Sequence, residues 1–452
     1  MTAAIRQRIL RFAVPAAGLG MLAAFALLYR FDAADYDCIL RYVGLHPFRY
    51  PFLDLQYVLA VVDCSQRGID VYVVTPCDVL GRPMGYSPLW LRATFLPGEA
   101  WSGPLGFAVV TAFFVSLGLL SRPRSGWEVL VTLIATLSPV TAFAVERANV
   151  DVIMFLLAMG AGILLLGPWR RRVGGYTVIL FAGLLKFYPL ALLILSLRER
   201  PRTFLAVNGI CAAAILTFVA AVAAELSAMA PNIPHGVYFS DLFGAEILPG
   251  GIIQILASAT HPATDSVETR AVNLALVATL FAMLFLQMAR GLIRIVQWGQ
   301  FRDALTHLPE HERMFLLVGA ALVSGCFFGG QSVGYRGIHL LFALPAFILL
   351  ARATEDARVR ATSRAACILV VVLMWHGFFP WYGILDRAGA PWPGAVLQLV
   401  PWLVREIVWW YVATLLLAIL ICFAADRFGF APRFDLSAGV ADTYRWWRGQ
   451  RG

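Results

Sequence analysis

The stretch FAVPAAGLGMLAAFALLY, Phe12–Tyr29, decides the fold: it carries no charge, follows Arg6, Arg8 and Arg11, and stops at Arg30 and Asp32. A helix needs about 20 such residues to cross roughly 30 Å of hydrocarbon. No small-residue cleavage site precedes the acidic stretch that starts at Asp32, so this run is expected to be a retained first span. Runs of the same kind recur along the chain. Of 452 residues, 60% are hydrophobic and 14% charged, where a soluble domain has about 45–50% and about 25%. That balance excludes a soluble globular fold. Backbone polar groups in lipid must bond internally, and the runs lack the alternation of barrel strands. The expected fold class is all-α: a polytopic membrane protein, one transmembrane domain over residues 1–452.

Candidate spans are 12–30, 104–120, 127–145, 150–167, 174–186, 187–198, 203–224, 271–293, 313–331, 337–352, 365–380 and 401–424, about twelve in all. With the N-terminus in the cytoplasm, Arg122/Arg124, Arg170–Arg172, Arg198/Arg200/Arg202, Arg290/Arg294, the arginines of 352–364 and the tail 425–452 all fall on one side. This satisfies the positive-inside rule. Gly174–Leu197 is long enough for one span, yet both its ends meet arginines, so a break at Lys186–Pro189 is expected. The opposite face receives the long connections 31–103, 225–270 and 381–400, where functional residues are expected. Phe52–Val62 in the first of these reads as a short amphipathic helix along the membrane surface.

The net charge of +9 sits mostly in short connections, so it reads as an orientation signal and not as a nucleic-acid footprint. Cys38, Cys64 and Cys77 share the first long connection, where two of the three could bridge; Cys64 with Cys77 is favoured, but sequence does not assign partners. No metal-ligand spacing is convincing, and His307/His311, split by Pro309, read as a solvated turn. No cofactor is expected, and metal dependence stays open.

Charged groups near membrane depth need partners or a watery cavity and mark candidate sites. Four groups stand out near the external face: Asp32/Asp35/Asp37, Asp54, the turn Glu146-Arg147-Ala148-Asn149-Val150-Asp151, and Lys186. Structural alternatives stay open for the first, third and fourth of these groups. The first three acids suit a solvated helix exit, Glu146 could pair with Arg147, Asn149 could cap the next helix, and Lys186 could snorkel to the interface.

Asp54-Leu55-Gln56-Tyr57, Arg67-Gly68-Ile69-Asp70-Val71-Tyr72 and Tyr86-Ser87-Pro88-Leu89 together resemble the start of glycosyltransferase family 87, in the C-type (GT-C) membrane glycosyltransferase superfamily. The Glu146–Asp151 turn resembles the family's polar turn before its fourth span. Leu185-Lys186-Phe187-Tyr188-Pro189-Leu190 resembles its Lys-aromatic-Pro segment, and Gly334-Tyr335-Arg336 is a further match. The resemblance implies a polyprenyl-phosphate sugar donor and transfer of mannose or arabinofuranose to a lipid or glycan acceptor at the external face of a bacterial inner membrane.

Because the leaving group is already a stable anion, no carboxylic acid is needed to protonate it, and one general base suffices for inversion. The resemblance assigns that base to Asp54, with Asp32, Asp35 and Asp37 in reserve. Lys186, Arg336 and Arg147 are the expected ligands of the donor phosphate. Glu146, Asn149, Asp151, Tyr57 and Tyr188 are the expected sugar or acceptor contacts. The rival readings are a lipid-linked-glycan flippase or transporter, a polysaccharide polymerase or ligase, and a non-catalytic assembly subunit. A transporter needs a path across the membrane, whereas these charges gather toward one face.

Overall fold

The computed structural model describes residues 3–45, 50–120, 123–233, 236, 238, 241–259, 267–375 and 392–428. Arg122, most of the connection 381–400, the end of the expected span 365–380 and the tail after residue 428 lie outside them. The described chain is helical almost throughout. It begins with α1 (Ala3–Phe31), α2 (Ala33–Tyr42) and α3 (Leu53–Gln66), then α4 (Ser102–Leu120), α5 (Gly126–Thr136), α6 (Pro139–Glu146), α7 (Val150–Leu165) and α8 (Trp169–Lys186). A 3-10 segment, Tyr188–Arg198, leads to α9 (Pro201–Ala221), α10 (Ala223–Met229) and α11 (Ile247–Ala259). The chain continues as α12 (Val267–Val296), α13 (Gly299–Thr306), α14 (Glu310–Phe328), α15 (Leu340–Ala353), α16 (Ala357–Trp375) and α17 (Trp392–Phe428).

Among the described residues seven helical stretches are long and apolar enough to cross a membrane, and α5 with α6, bent by 53° at Leu137–Ser138, makes an eighth if the pair is one broken span. The count of twelve is not reached on length and composition. Three expected spans are short: α7 has 16 residues, the 3-10 segment has 11, and α8 spends its first turn on Arg170–Arg172. α16 likewise opens with Arg358, Arg360 and Arg364. The break at Lys186–Pro189 is present: α8 ends at Lys186, and Phe187 takes a left-handed φ of 42°. Gly183 lets Leu190 fold back against α8 where a Cβ would clash at 2.1 Å. Gly325 on α14 does the same for Ala191 at 2.7 Å. Such tight seating accounts for an 11-residue 3-10 run, where runs beyond about 3–4 residues are uncommon.

α14 and α15 form the buried centre, packed on each other and flanked by α16, α17 and the 3-10 segment. α9 and α12 lie outside and keep most of their apolar side chains uncovered. At one end the arginines draw helices together: Arg198 meets Glu310 at 3.0 Å, Arg302 meets Asp426 at 2.6 Å, and Arg352 meets Glu128. The long connections fold over the other end.

The first connection differs from the expected surface helix. α3 is buried from Leu53 to Val62, most of its 14 residues, because the segment after it wraps around it. Tyr57, Val58, Val61 and Cys64 pack with Val71, Met84 and Trp90 from that wrap, and with Val150, Met154 and Leu185 from the bundle. A Cys64–Cys77 disulfide closes the wrap, while Cys38 is free. Asn232 of the second connection clasps the wrap by donating to the carbonyls of Tyr72 (2.8 Å) and Met84 (3.2 Å). A two-residue ladder, Leu242–Phe243 antiparallel to Ser332–Val333, ties the second connection to the turn that carries Arg336.

Candidate functional site

Among the described residues three non-glycines have left-handed φ: Phe52 (φ 61°), Ala148 (φ 41°) and Phe187 (φ 42°). Phe52 stands two residues before Asp54, Ala148 lies within the Glu146–Asp151 turn, and Phe187 follows Lys186. Such conformations cost of order 1 kcal/mol or more each and persist where the surroundings enforce them. Here the enforcing contacts are visible. Phe52 donates its N–H to the Glu146 carbonyl at 2.7 Å, and Asp54 donates to the Arg147 carbonyl at 3.1 Å, so the start of α3 is seated on the turn between α6 and α7.

That seat brings together residues far apart in sequence. Asn149 starts α7: its Oδ1 accepts the Asp151 N–H at 2.8 Å, and its Nδ2 donates to Asp54 Oδ2 at 2.6 Å. One amide therefore caps a helix and aims a carboxylate. Asp54 Oδ1 accepts from Arg82 at 3.1 Å and has Arg147 at 3.7 Å. Arg82 is itself held by both oxygens of Asp78 at 2.9 Å, and its guanidinium lies 4.4 Å from the centre of the Tyr57 ring.

On the other side of Asn149, fully buried Asp151 receives Lys186 Nζ at 2.8 Å, Arg336 Nε at 3.6 Å and the Tyr188 hydroxyl at 2.7 Å. Lys186 does not snorkel; its side chain is 10% exposed. Two cations facing one carboxylate leave a net positive charge available to an anion. Tyr188 also meets His339 Nε2 at 2.8 Å, and the Arg336 guanidinium lies 5.0 Å from the Tyr188 ring centre. Among the described residues Nδ1 of His339, a fully buried residue, finds no hydrogen-bond partner. Lys186 Nζ stands 5.4 Å from the ring centre of Tyr86.

Other expected residues have different duties. Glu146 accepts a hydrogen bond from Tyr36 of α2 at 2.9 Å. Arg147 lies over the Phe143 ring at 4.4 Å. Asp32 caps α2 by accepting from Ala34 and Asp35, Asp35 is exposed, and Asp37 pairs with Arg41 at 2.8 Å. These three carboxylates serve α2, the solvated-exit alternative. The Tyr57 hydroxyl donates to the Pro83 carbonyl (2.7 Å) and accepts from the Gly85 N–H (2.8 Å), which binds it to the wrap instead of offering it to a ligand. Burial pushes this phenol up to about 12. Ser87 donates to the Leu184 carbonyl at 2.6 Å and pins the wrap to the end of α8.

Sequence reading missed Arg82, Asp78 and His339. The i,i+4 spacing of Asp78 and Arg82 was a signal of a local pair, and His339 is an ionisable group inside an apolar run. Among the described residues no group of three or more His, Cys, Asp or Glu side chains is arranged to hold a metal. Comparison with family models, curated proteins and solved structures finds no match to this chain, so the cluster is read from its own chemistry: a buried carboxylate with a fixed orientation beside a second site of excess positive charge.

Proposed function

We propose that the protein is an inverting membrane glycosyltransferase that moves a sugar, of the mannose or arabinofuranose class, from a polyprenyl-phosphate donor to a lipid or glycan acceptor. The reading is of a GT-C-like enzyme crossing a bacterial plasma membrane about twelve times, with both termini in the cytoplasm and its chemistry at the external face. One observation carries it: Asp54, Asn149, Asp151, Lys186 and Arg336, drawn from four separated segments, meet in one buried polar network at the end opposite the arginine-rich connections. A transporter would need charged groups along a path, and these gather at one end.

In this mechanism Asp54 is the general base. Each carboxylate oxygen has two lone pairs, so Oδ2 can hold Asn149 and still accept the acceptor hydroxyl. That hydroxyl oxygen attacks the anomeric carbon as the carbon–oxygen bond to phosphate breaks. The bonding pair leaves with polyprenyl phosphate, the proton passes to Asp54, and configuration inverts. Lys186 and Arg336 stabilise the charge on the departing phosphate inside a site of low dielectric. Asp151 and Tyr188 hold those two cations in place, and Arg82 fixes the position of the Asp54 carboxylate.

The test uses proteoliposomes supplied with radiolabelled polyprenyl-phosphate sugars. Wild type transfers label to an acceptor, and Lys186→Ala raises KM for the donor far more than for the acceptor. Equal effects on both substrates refute the phosphate assignment, and absence of transfer by wild type from every donor of this class refutes the function.

A further inference from the structure

A cavity of about 370 Å³ opens at the arginine-rich end, and none of its lining residues belongs to the proposed site. Four elements wall it: the 3-10 segment (Leu195, Arg198), α13 (Leu305), α14 (Arg313, Leu317) and α17 (Ile419, Phe423, Arg427). Leu195, Leu305, Leu317 and Ile419 in its wall are buried, whereas Glu310, Asp426 and Arg427 are exposed and Arg198 and Arg313 half-buried, so the charges stand toward the rim. Rim and interior together have the pattern of an amphiphile, a charged head above a hydrocarbon tail.

The rim charges give the sign of the head. Three arginines, Arg198, Arg313 and Arg427, line the cavity together with Glu310 and Asp426. Arg302, from beside the cavity, already neutralises Asp426 at 2.6 Å. Arg198 is committed, to Glu310 at 3.0 Å and to the Leu165 carbonyl at 2.8 Å. Arg427 uses one nitrogen on the Glu199 carbonyl at 2.8 Å. Among the described residues the half-buried Arg313 guanidinium makes no hydrogen bond or ion pair. Two cationic side chains therefore remain to meet an anion at the mouth of an apolar hole.

We infer that this cavity binds an anionic phospholipid of the cytoplasmic leaflet, its phosphate on Arg313 and Arg427 and part of an acyl chain against Leu317, Ile419 and Phe423. Basic pockets between helices on that side are suited to such head groups. The volume lies within the range of ligand pockets, about 300–1,000 Å³. The inference rests on the positive-inside topology and stands apart from the transferase reading.

Purified protein in detergent is titrated with phosphatidylglycerol and with phosphatidylcholine of the same acyl chains, and bound lipid is counted by native mass spectrometry. Phosphatidylglycerol binds more tightly to wild type. Arg313→Gln with Arg427→Gln weakens it about 30-fold, from about 1 kcal/mol per charge and about 1.4 kcal/mol per tenfold, and leaves phosphatidylcholine unchanged. Should the double variant unfold, Arg313→Gln alone carries the test with a loss of about fivefold. Ile419→Trp, which fills the cavity, weakens both lipids. Millimolar inorganic phosphate leaves the lipid in place. Equal binding of the two lipids by wild type, full retention of phosphatidylglycerol by the arginine variants or by Ile419→Trp, or displacement by inorganic phosphate overturns the inference.

Discussion

Replacing Asp54 by Asn removes the proposed base with almost no change of volume, and the surrounding contacts set what else changes. The new side chain can keep an oxygen toward Arg82, which retains Asp78 at 2.9 Å and so stays compensated. Its NH2 group then faces the Asn149 Nδ2 that now donates to Asp54 Oδ2 across 2.6 Å. Two donors meet there. Asn149 can relieve this by flipping only if it gives up the Asp151 N–H, a helix cap whose loss costs about 1 kcal/mol. The variant is therefore expected to fold with a loss of about 1 kcal/mol. Loss of a general base lowers turnover by about 100- to 10,000-fold, equivalent to roughly 3–5 kcal/mol at the transition state. Single-turnover transfer from radiolabelled donor in proteoliposomes separates the two effects, because donor affinity stays close to wild type while the chemical step slows. Full transfer by Asp54→Asn would remove Asp54 as base. A matching loss in Asp35→Asn, with Asp54→Asn active, would move the chemistry to α2.

Three further outcomes follow from the same geometry. Asp151→Asn leaves Lys186 and Arg336 buried beside a neutral group and destabilises by about 3–5 kcal/mol; adding Lys186→Met returns part of that loss in reversible detergent unfolding, whereas strictly additive losses would deny the pairing. Replacing Cys64 and Cys77 together by Ala frees a loop of 13-residue separation, worth about 3 kcal/mol on the chain-entropy account, and also slows transfer, since Cys77 adjoins the Asp78 that seats Arg82; an unchanged melting midpoint and unchanged activity would contradict this. Glu225 on α10 joins the first connection through Arg92 (2.6 Å) and Tyr72 (3.1 Å), and the Arg92 hydrogen bond holds its carboxyl below the ordinary value. A lowered carboxylate contributes stability above its unfolded value, about 4.3 for Glu, and loses it as pH falls through the lowered one. The pair is partly exposed, so the contribution is below about 1 kcal/mol. A spin label at Val73 should gain mobility on acidification and, at neutral pH, in Glu225→Gln; equal mobility in wild type and variant at pH 7 would show that Glu225 does not hold the wrap.

How far the sequence speaks depends on whether a signal is local. The apolar runs mark the spans because lipid imposes a length, and Pro189 with its flanking arginines marks the break after Lys186. Asp54, Asn149, Asp151, Lys186 and Arg336 stand out because charged and amide groups are scarce among apolar neighbours. Their joining was not legible, because it depends on the left-handed residues Phe52 and Ala148, and neither Phe nor Ala advertises that conformation. α3 looked like a surface helix because its covering comes from residues 68–96, an irregular wrap without a period of its own. Arg82 escaped for the same reason. Tyr57 and Tyr188 show that a tyrosine near a site can spend its hydroxyl on the scaffold, on Gly85 in one case and on His339 in the other.

The tight coil from Tyr188 to Arg198 has a geometric corollary. Eleven residues at about 2 Å each reach roughly 22 Å, several ångströms short of the roughly 30 Å hydrocarbon slab. If its arginine end sits at one interface, its Pro189 end lies below the opposite one, and Lys186 with it. The bilayer answers such hydrophobic mismatch by thinning locally, at a fraction of a kcal/mol per ångström. A dimple of that kind would carry the waterline down to Lys186, letting a tailed phosphate slide in sideways while its isoprenoid stays immersed.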